Sequence, residues 1–147
     1  MNGRNINIGL LVLRIGIGSM FILHGWPKLQ GGIAGWERLG NNMQYIGISF
    51  LPAFWGFMAM AAELVGGICL VLGVGVRVAS ALMLFTMFVA AAGNLSQGYG
   101  LEGVVEITEV SSALFMLLIV GAGQWTVLDA VRRITGGCLQ TRGDITL

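Results

Sequence analysis

Apolar residues fall into four long runs along the chain, and short polar or glycine-rich breaks separate them. The runs cover approximately residues 8–28, 52–72, 76–95 and 105–128. A helix needs about 20 apolar residues to cross the hydrocarbon core of a bilayer, and each run has roughly that length. The pattern therefore predicts an all-α integral membrane protein built as a four-helix transmembrane bundle.

Residues 30–51 form the longest stretch between two spans. Ile33, Trp36, Leu39 and Met43 recur at close to helical spacing, with charged and amide side chains between them. This spacing favours a short amphipathic helix on the membrane surface, between the first and second spans. An irregular loop with a few apolar anchors is the alternative.

The composition agrees with a membrane location. Hydrophobic residues make up 56% of the chain, charged residues 10%, and the mean hydropathy is +0.83. About a quarter of the residues of a soluble domain are charged. The 24 glycines suit close helix packing in lipid. The net charge is +1, so nothing indicates a nucleic acid partner. We expect a single domain over residues 1–147, and its main partner is the lipid bilayer.

The distribution of arginine predicts the orientation. One side of the predicted bundle, formed by the termini and the turn between the second and third runs, holds Arg4, Arg77, Arg132, Arg133 and Arg142. The opposite side holds Lys28, Glu37, Arg38, Glu102 and Glu106. Positive residues mark cytoplasmic segments. We therefore expect a multi-pass protein of the bacterial inner membrane, with both termini cytoplasmic and residues 129–147 as a tail. The first run lacks a small-residue cleavage site, so we interpret it as a retained span.

Two of the spans carry an ionisable residue deep within them. Arg14 lies in the first span and Glu63 in the second. A lone charge at the bilayer centre costs about 2.5–3.5 kcal/mol on insertion scales. We therefore expect Arg14 and Glu63 to form a buried ion pair, which either supports a functional site or only locks the two helices together.

Other polar residues enter the membrane from the opposite side to the termini. They are His24 and Lys28 in the first span, Asn94 late in the third, and Glu106 and Glu109 early in the fourth. Polar groups that converge in a bundle are typical of a small-molecule pocket, and we take these five residues as its candidates. Lys28 has an alternative role, since a lysine near a helix end extends to the headgroups.

The sequence offers little for metal or thiol chemistry. A single histidine excludes a multi-histidine site, and although His24 with Glu106 and Glu109 is conceivable, we expect no metal. Cys69 and Cys138 do not form a CxxC motif, and Cys69 suits a small core residue. We assign no catalytic residue.

Several short motifs occur in a distinctive order over about residues 10–130. They are Leu13-Arg14, Gly18, Phe21, His24-Gly25 and Lys28, then Glu63 to Gly67, Leu72-Gly73 and Arg77 to Ala79, and finally Gly121 to Gly123 and Leu128-Asp129. In this order and spacing the chain resembles the DoxX family of small four-helix membrane proteins.

The resemblance implies redox chemistry near the quinone pool, performed with soluble or membrane oxidoreductase partners in thiol, sulfur or oxidative-stress metabolism. A quinone is then the expected ligand, and no covalent cofactor is expected. His24 or Lys28 would hydrogen-bond a quinone carbonyl or an anion, and Glu109 would relay protons. The sequence has no haem ligand pair, iron–sulfur motif, nucleotide-binding loop or CxxC, so a self-sufficient enzyme is not indicated.

Two other classes of function stay open. One is a bundle that binds or transports a lipid or small solute without chemistry, for which four helices are few unless the protein is a homo-oligomer. The other is a structural membrane partner that stabilises another protein.

Overall fold

The computed structural model describes residues 3–98 and 102–131, and all of its regular structure is helical. The helices are α1 (Gly3–Gln30), α2 (Gly32–Gly40), a short 3-10 helix (Asn41–Ile46), α3 (Pro52–Leu72), α4 (Val76–Ser96) and α5 (Glu102–Val120). Within the described residues, α1, α3, α4 and α5 are long and apolar enough to cross a membrane. The predicted fold class is therefore confirmed, including the short helical segment between the first two spans.

The ends of two spans differ from the prediction. α1 begins at Gly3 and continues to Gln30, so it is longer than the predicted run of 8–28. α5 ends at Val120 rather than at 128, because Gly121 adopts the left-handed conformation with φ 84°. A left-handed glycine ends a helix. Residues 127–131 then begin a separate helical segment. Most of the predicted tail, residues 132–147, lies outside the described residues.

The spanning helices pack in the order α1, α3, α4, α5, and α5 touches α1 only sparsely. Leu10, Phe21, Leu70, Met83 and Leu114 are among the buried residues of the shared core. Glycine sets the close contact between α1 and α3, because a Cβ on Gly18 would lie 2.7 Å from the carbonyl oxygen of Gly67. Small residues allow such backbone approach in lipid.

The α3–α4 turn defines one end of the bundle, which we call the hairpin end. Gly73 and Gly75 have φ values of 73° and 58°. The N–H of Gly73 bonds to the Leu70 carbonyl at 3.2 Å, and that of Val74 to the Cys69 carbonyl at 3.0 Å. This pair of bonds is a Schellman motif, which satisfies the last carbonyls of α3.

The opposite end, which we call the α2 end, is covered by α2 and the 3-10 helix. α2 lies so close to α3 that a Cβ on Gly56 would overlap the Trp36 carbonyl, and one on Gly40 would overlap the Pro52 carbonyl. The Trp36 ring contacts Phe57 edge-on at 5.1 Å. The amphipathic segment is therefore packed onto α3 as part of the fold.

Candidate functional site

Arg14 and Glu63 are both buried, at 0% and 3% exposed, but they do not pair with each other. Glu63 forms an ion pair with Lys28, in which the ammonium donates to Oε2. Arg14 instead donates from Nη2 to the carbonyl of Trp125 at 2.5 Å. The predicted Arg14–Glu63 pair is thus replaced by two separate polar centres.

The register of α1 against α3 explains this correction. A Cβ on Gly25 would lie 2.9 Å from Cβ of Leu64, so Gly25 stands at the level of Glu63. Arg14 precedes Gly25 by 11 residues (25 minus 14), which is roughly 16 Å along a helix. Even an extended arginine side chain does not cover that distance, whereas Lys28 is less than one turn from Gly25.

The ion pair between Lys28 and Glu63 is held from both sides. The Lys28 side chain is 30% exposed and that of Glu63 only 4%. The backbone carbonyl of Lys28 accepts a hydrogen bond from the Trp36 indole at 3.0 Å, so α2 fixes the end of α1 that carries the lysine. The ammonium thereby reaches a carboxylate in the middle of α3.

This ion pair lies in the wall of a long groove between α3 and α4. The groove encloses about 760 Å³ and runs from the α3–α4 turn to α2 and the 3-10 helix. Small side chains of α3 line it at helical spacing, and α4 contributes mainly apolar residues. The side chains that carry polar groups in the lining are Lys28, Asn42, Trp55, Glu63 and Thr86.

Trp55 lines this groove and carries a buried indole donor. Within the described residues its buried indole Nε1 has no hydrogen-bond partner, and the Phe50 and Phe54 rings contact the indole edge-on, with centroid distances of 6.2 and 5.4 Å. The Thr86 hydroxyl, by contrast, already donates to the Met83 carbonyl at 2.8 Å. A buried N–H without an acceptor costs about 1–3 kcal/mol, so a ligand acceptor beside Trp55 would remove a real penalty.

The other predicted pocket residues do not join Lys28 in this groove. His24 is exposed, and its Nδ1 lies 2.9 Å from the Met20 carbonyl. Asn94 donates to the Gly103 carbonyl at 2.7 Å, which ties α4 to the start of α5. Glu106 and Glu109 are exposed on α5. Of the five candidates, only Lys28 lines the groove.

Sequence reasoning missed Trp55, Asn42 and Thr86 as lining residues. A usable signal was present, because Ala59, Ala62, Gly66 and Cys69 repeat small side chains on one face of α3. Within the described residues, no three His, Cys, Asp or Glu side chains are grouped closely enough to hold a metal ion. Cys69 is a partly buried free thiol in the groove wall.

The four candidate spans and this groove define a multi-pass helical membrane protein with an apolar cleft and a buried ion pair. The chain belongs to the DoxX family, whose model matches residues 9–94. That range holds most of α1, all of α2 and α3, nearly all of α4 and both members of the ion pair. Two motifs that follow α5, Gly121 to Gly123 and Leu128-Asp129, lie outside the matched range.

A curated relative is the Bacillus subtilis (strain 168) protein named "Putative oxidoreductase CatD". The two chains are 31% identical over 84 residues, which is 57% of this chain and 58% of the relative. The chain thus matches a little over half of the relative's length. No solved structure matches this one.

Proposed function

We propose that the protein is a quinone-binding, redox-linked membrane subunit, and that the groove between α3 and α4 holds the quinone. The observation that carries this proposal is an apolar groove of about 760 Å³ with one ion pair, Lys28 with Glu63, in its wall. Small-molecule sites usually measure about 300–1,000 Å³ and combine an apolar lining with a few polar groups.

The lining suits the two chemical parts of a lipid-soluble quinone. The ring carbonyls are hydrogen-bond acceptors, and the isoprenoid tail is entirely apolar. Lys28 has three N–H donors, of which Glu63 takes one, and the Trp55 indole N–H has no partner among the residues that the structure describes. The rest of the lining is alkyl and aromatic, so it matches the tail.

Residues of this chain would position the ring and keep water away from it. A bound quinone supplies the capacity to take up two electrons and two protons. Lys28 would donate a hydrogen bond to a ring carbonyl, while Glu63 holds the ammonium in place. Because the sequence carries no CxxC, nucleotide loop or iron–sulfur motif, we assign the electron donor to a partner oxidoreductase.

The comparisons support a redox role in a general way. The relative from Bacillus subtilis carries the word oxidoreductase in its name, and its match covers a little over half of each chain. The family match covers both helices that contribute the ion pair. His24 was suggested for quinone contact and Glu109 for proton relay, but neither residue lines the groove.

The test is quinone extraction and native mass spectrometry of gently purified full-length protein. Ala90→Phe would fill the groove, since Ala90 lines it, and Ala81→Phe is the matched control because Ala81 is exposed elsewhere on α4. We expect quinone to co-purify with wild type and with Ala81→Phe, and to fall about tenfold or more in Ala90→Phe. Trp55→Phe removes one hydrogen bond of about 1 kcal/mol, so we expect a drop of about fivefold.

Two results would contradict the proposal. If only phospholipid co-purifies, and Ala90→Phe loses it while Ala81→Phe retains it, the groove is a lipid or carrier site. If neither variant changes what co-purifies, the bundle has a structural role with a partner. His24→Ala serves as a further control, because an exposed residue outside the groove should retain quinone at the wild-type level.

A further inference from the structure

A second cavity lies at the hairpin end, between the start of α4 and the glycine-rich segment after α5. It measures about 490 Å³ and opens to the surface. We call it the hairpin cavity, and its lining residues are Gly73, Gly75, Val76, Arg77, Val78, Val120, Gly121, Ala122 and Gly123.

The first turn of α4 contributes free backbone donors to this cavity. The N–H of Ala79 bonds to the Gly75 carbonyl at 3.0 Å, which leaves the N–H groups of Val76, Arg77 and Val78 without an intrahelical acceptor. Gly75 has no side chain to cap them, and the first turn holds no acidic residue. The positive end of the dipole of α4, a helix of 21 residues, lies at the same first turn. Helix starts of this kind bind oxyanions.

Arg77 adds a full positive charge to the same lining. Its Nη2 donates to the Ile119 carbonyl at 3.2 Å, and its Nε lies 3.3 Å from the place that a Cβ on Gly121 would occupy. The guanidinium is therefore held across the cavity by the end of α5. Its remaining N–H groups are available to a ligand, in the fork geometry that suits phosphate.

A buried cation behind the lining provides an independent observation. The Arg14 guanidinium packs against Gly73, and in the part of the chain that the structure describes its buried Nε and Nη1 have no hydrogen-bond partner. Among the described residues it has no ion-pair partner. Asp129 has its carboxylate bonded to the Thr126 hydroxyl at 2.8 Å. An uncompensated charge inside a membrane bundle is costly, so an anion on the other side of Gly73 would offset it.

We propose that the hairpin cavity binds a phosphate-type oxyanion, either the headgroup of an anionic phospholipid or free phosphate. The N–H groups of the α4 first turn and the Arg77 guanidinium hold the anion, and Arg14 attracts it through Gly73. The site lies at the hairpin end of the bundle. It shares Gly75 and Val78 with the lining of the groove, but Arg77 and Gly121 to Gly123 line the hairpin cavity alone, so the proposal does not require that the groove binds a quinone.

The first experiment is native mass spectrometry of the full-length protein with phosphatidylglycerol in detergent micelles. Arg77→Gln removes a charged donor from the cavity, and Arg4→Gln removes an exposed charge at the same end of the bundle outside the lining. Loss of a charge-assisted hydrogen bond predicts about tenfold weaker lipid binding for Arg77→Gln. We expect less than about a twofold change for Arg4→Gln, because surface charges are screened.

A second arm identifies the source of the anion. Inorganic phosphate is titrated into lipid-depleted protein, and thermal stability is measured. A rise in Tm that Arg77→Gln removes shows that the cavity takes the free anion. Lipid binding without such a rise assigns the site to a headgroup.

A second pair of variants tests the helix start itself. A side chain at Gly75 would meet open space, and aspartate and asparagine both tolerate its left-handed backbone. Gly75→Asp places a negative charge at the free N–H groups, so it should abolish binding, whereas Gly75→Asn should retain more of it. Two results together would overturn the proposal. Arg77→Gln would bind phosphatidylglycerol and inorganic phosphate as well as Arg4→Gln does, and Gly75→Asp would bind them as well as Gly75→Asn does.

Discussion

The two charges of the ion pair, Lys28 and Glu63, differ in burial, and therefore in what it costs to leave each one without its partner. Glu63 is almost fully buried, while almost a third of the Lys28 side chain is exposed. Removing one partner of a buried pair leaves an uncompensated charge, whereas replacing both by apolar residues is often neutral. The cost of each change should therefore follow the burial of the group that is left behind.

We predict that Lys28→Met destabilises the protein by about 3 kcal/mol, because it leaves the buried carboxylate unpaired. Glu63→Gln should cost about 1 kcal/mol, since the remaining ammonium can reach the headgroup region. The double variant Lys28→Met/Glu63→Leu should recover most of the loss. Steric trapping in bicelles measures these free energies of unfolding.

Glu106→Gln is the control for this series, because Glu106 is exposed on α5 and should have little effect. A double variant as unstable as the sum of the two single variants would show that the residues do not act as a pair.

At the scale of the helices, glycine decides where neighbours touch. Gly56 and Gly40 bring α2 onto the start of α3 at backbone distance, while Gly35 on α2 has open space around it. Gly18 and Gly67 do the same for α1 and α3, while Gly16 of α1 has nothing within 4 Å of its Cβ position. Glycines of one helix thus have different roles, according to the face on which they lie.

We predict that Gly56→Ala separates α2 from α3, at a cost of about 1–3 kcal/mol from overpacking. Hydrogen exchange of residues 32–46 should accelerate, because the Trp36 carbonyl must move. Gly35→Ala is the matched control. It should leave this exchange unchanged or slow it, since alanine favours a helix over glycine by up to about 1 kcal/mol. Equal exchange in the two variants would contradict the close packing of α2 on α3.

On the scale of the whole molecule, the four spans place the start of α1 and the segment that follows α5 together at the hairpin end. The segment after α5 is tied to α1 there, because Asn7 Oδ1 accepts the N–H of Gln124 at 3.2 Å and Arg14 bonds to Trp125. The α2 end lies on the other side of the bundle. The positive-inside rule assigns the hairpin end to the cytoplasm, which stays a prediction.

Cysteine labelling tests this orientation. In a background without Cys69 and Cys138, we expect a membrane-impermeant maleimide to label Ile33→Cys on intact cells, because Ile33 is exposed on α2. Arg4→Cys and Val74→Cys should react only in inverted vesicles. Labelling of Arg4→Cys and Val74→Cys from outside would reverse the orientation, and labelling of these two from opposite sides would contradict the four-span topology.

The sequence predicted the bounds of a helix well where the run of apolar residues alone decides them. The α3 and α4 bounds agree with the apolar runs to within one residue. The end of α5 was wrong by eight residues, because apolar residues continue after Val120 while Gly121 turns the backbone. Hydrophobicity alone does not record the backbone angle of a glycine.

The candidate site was predicted less well than the spans. Lys28 was proposed for a pocket and Glu63 for an ion pair, yet their partnership with each other was not foreseen. His24, Asn94, Glu106 and Glu109 were grouped by depth in the membrane, which says nothing about the face of each helix that points inward. Trp55 was not proposed from the sequence, and only the packing shows that it lines the groove and that its indole N–H is buried without a partner among the described residues.

The sequence by itself determined that this is a four-span helical membrane protein of the DoxX type with charges inside its spans, because span length, apolarity and motif order are local properties of the chain. The tertiary structure decided which charges meet. Glycine contacts fix the register of α1 on α3, and this register places Glu63 beside Lys28 and about 16 Å away from Arg14. The groove likewise exists only because small residues of α3 face α4 across a gap.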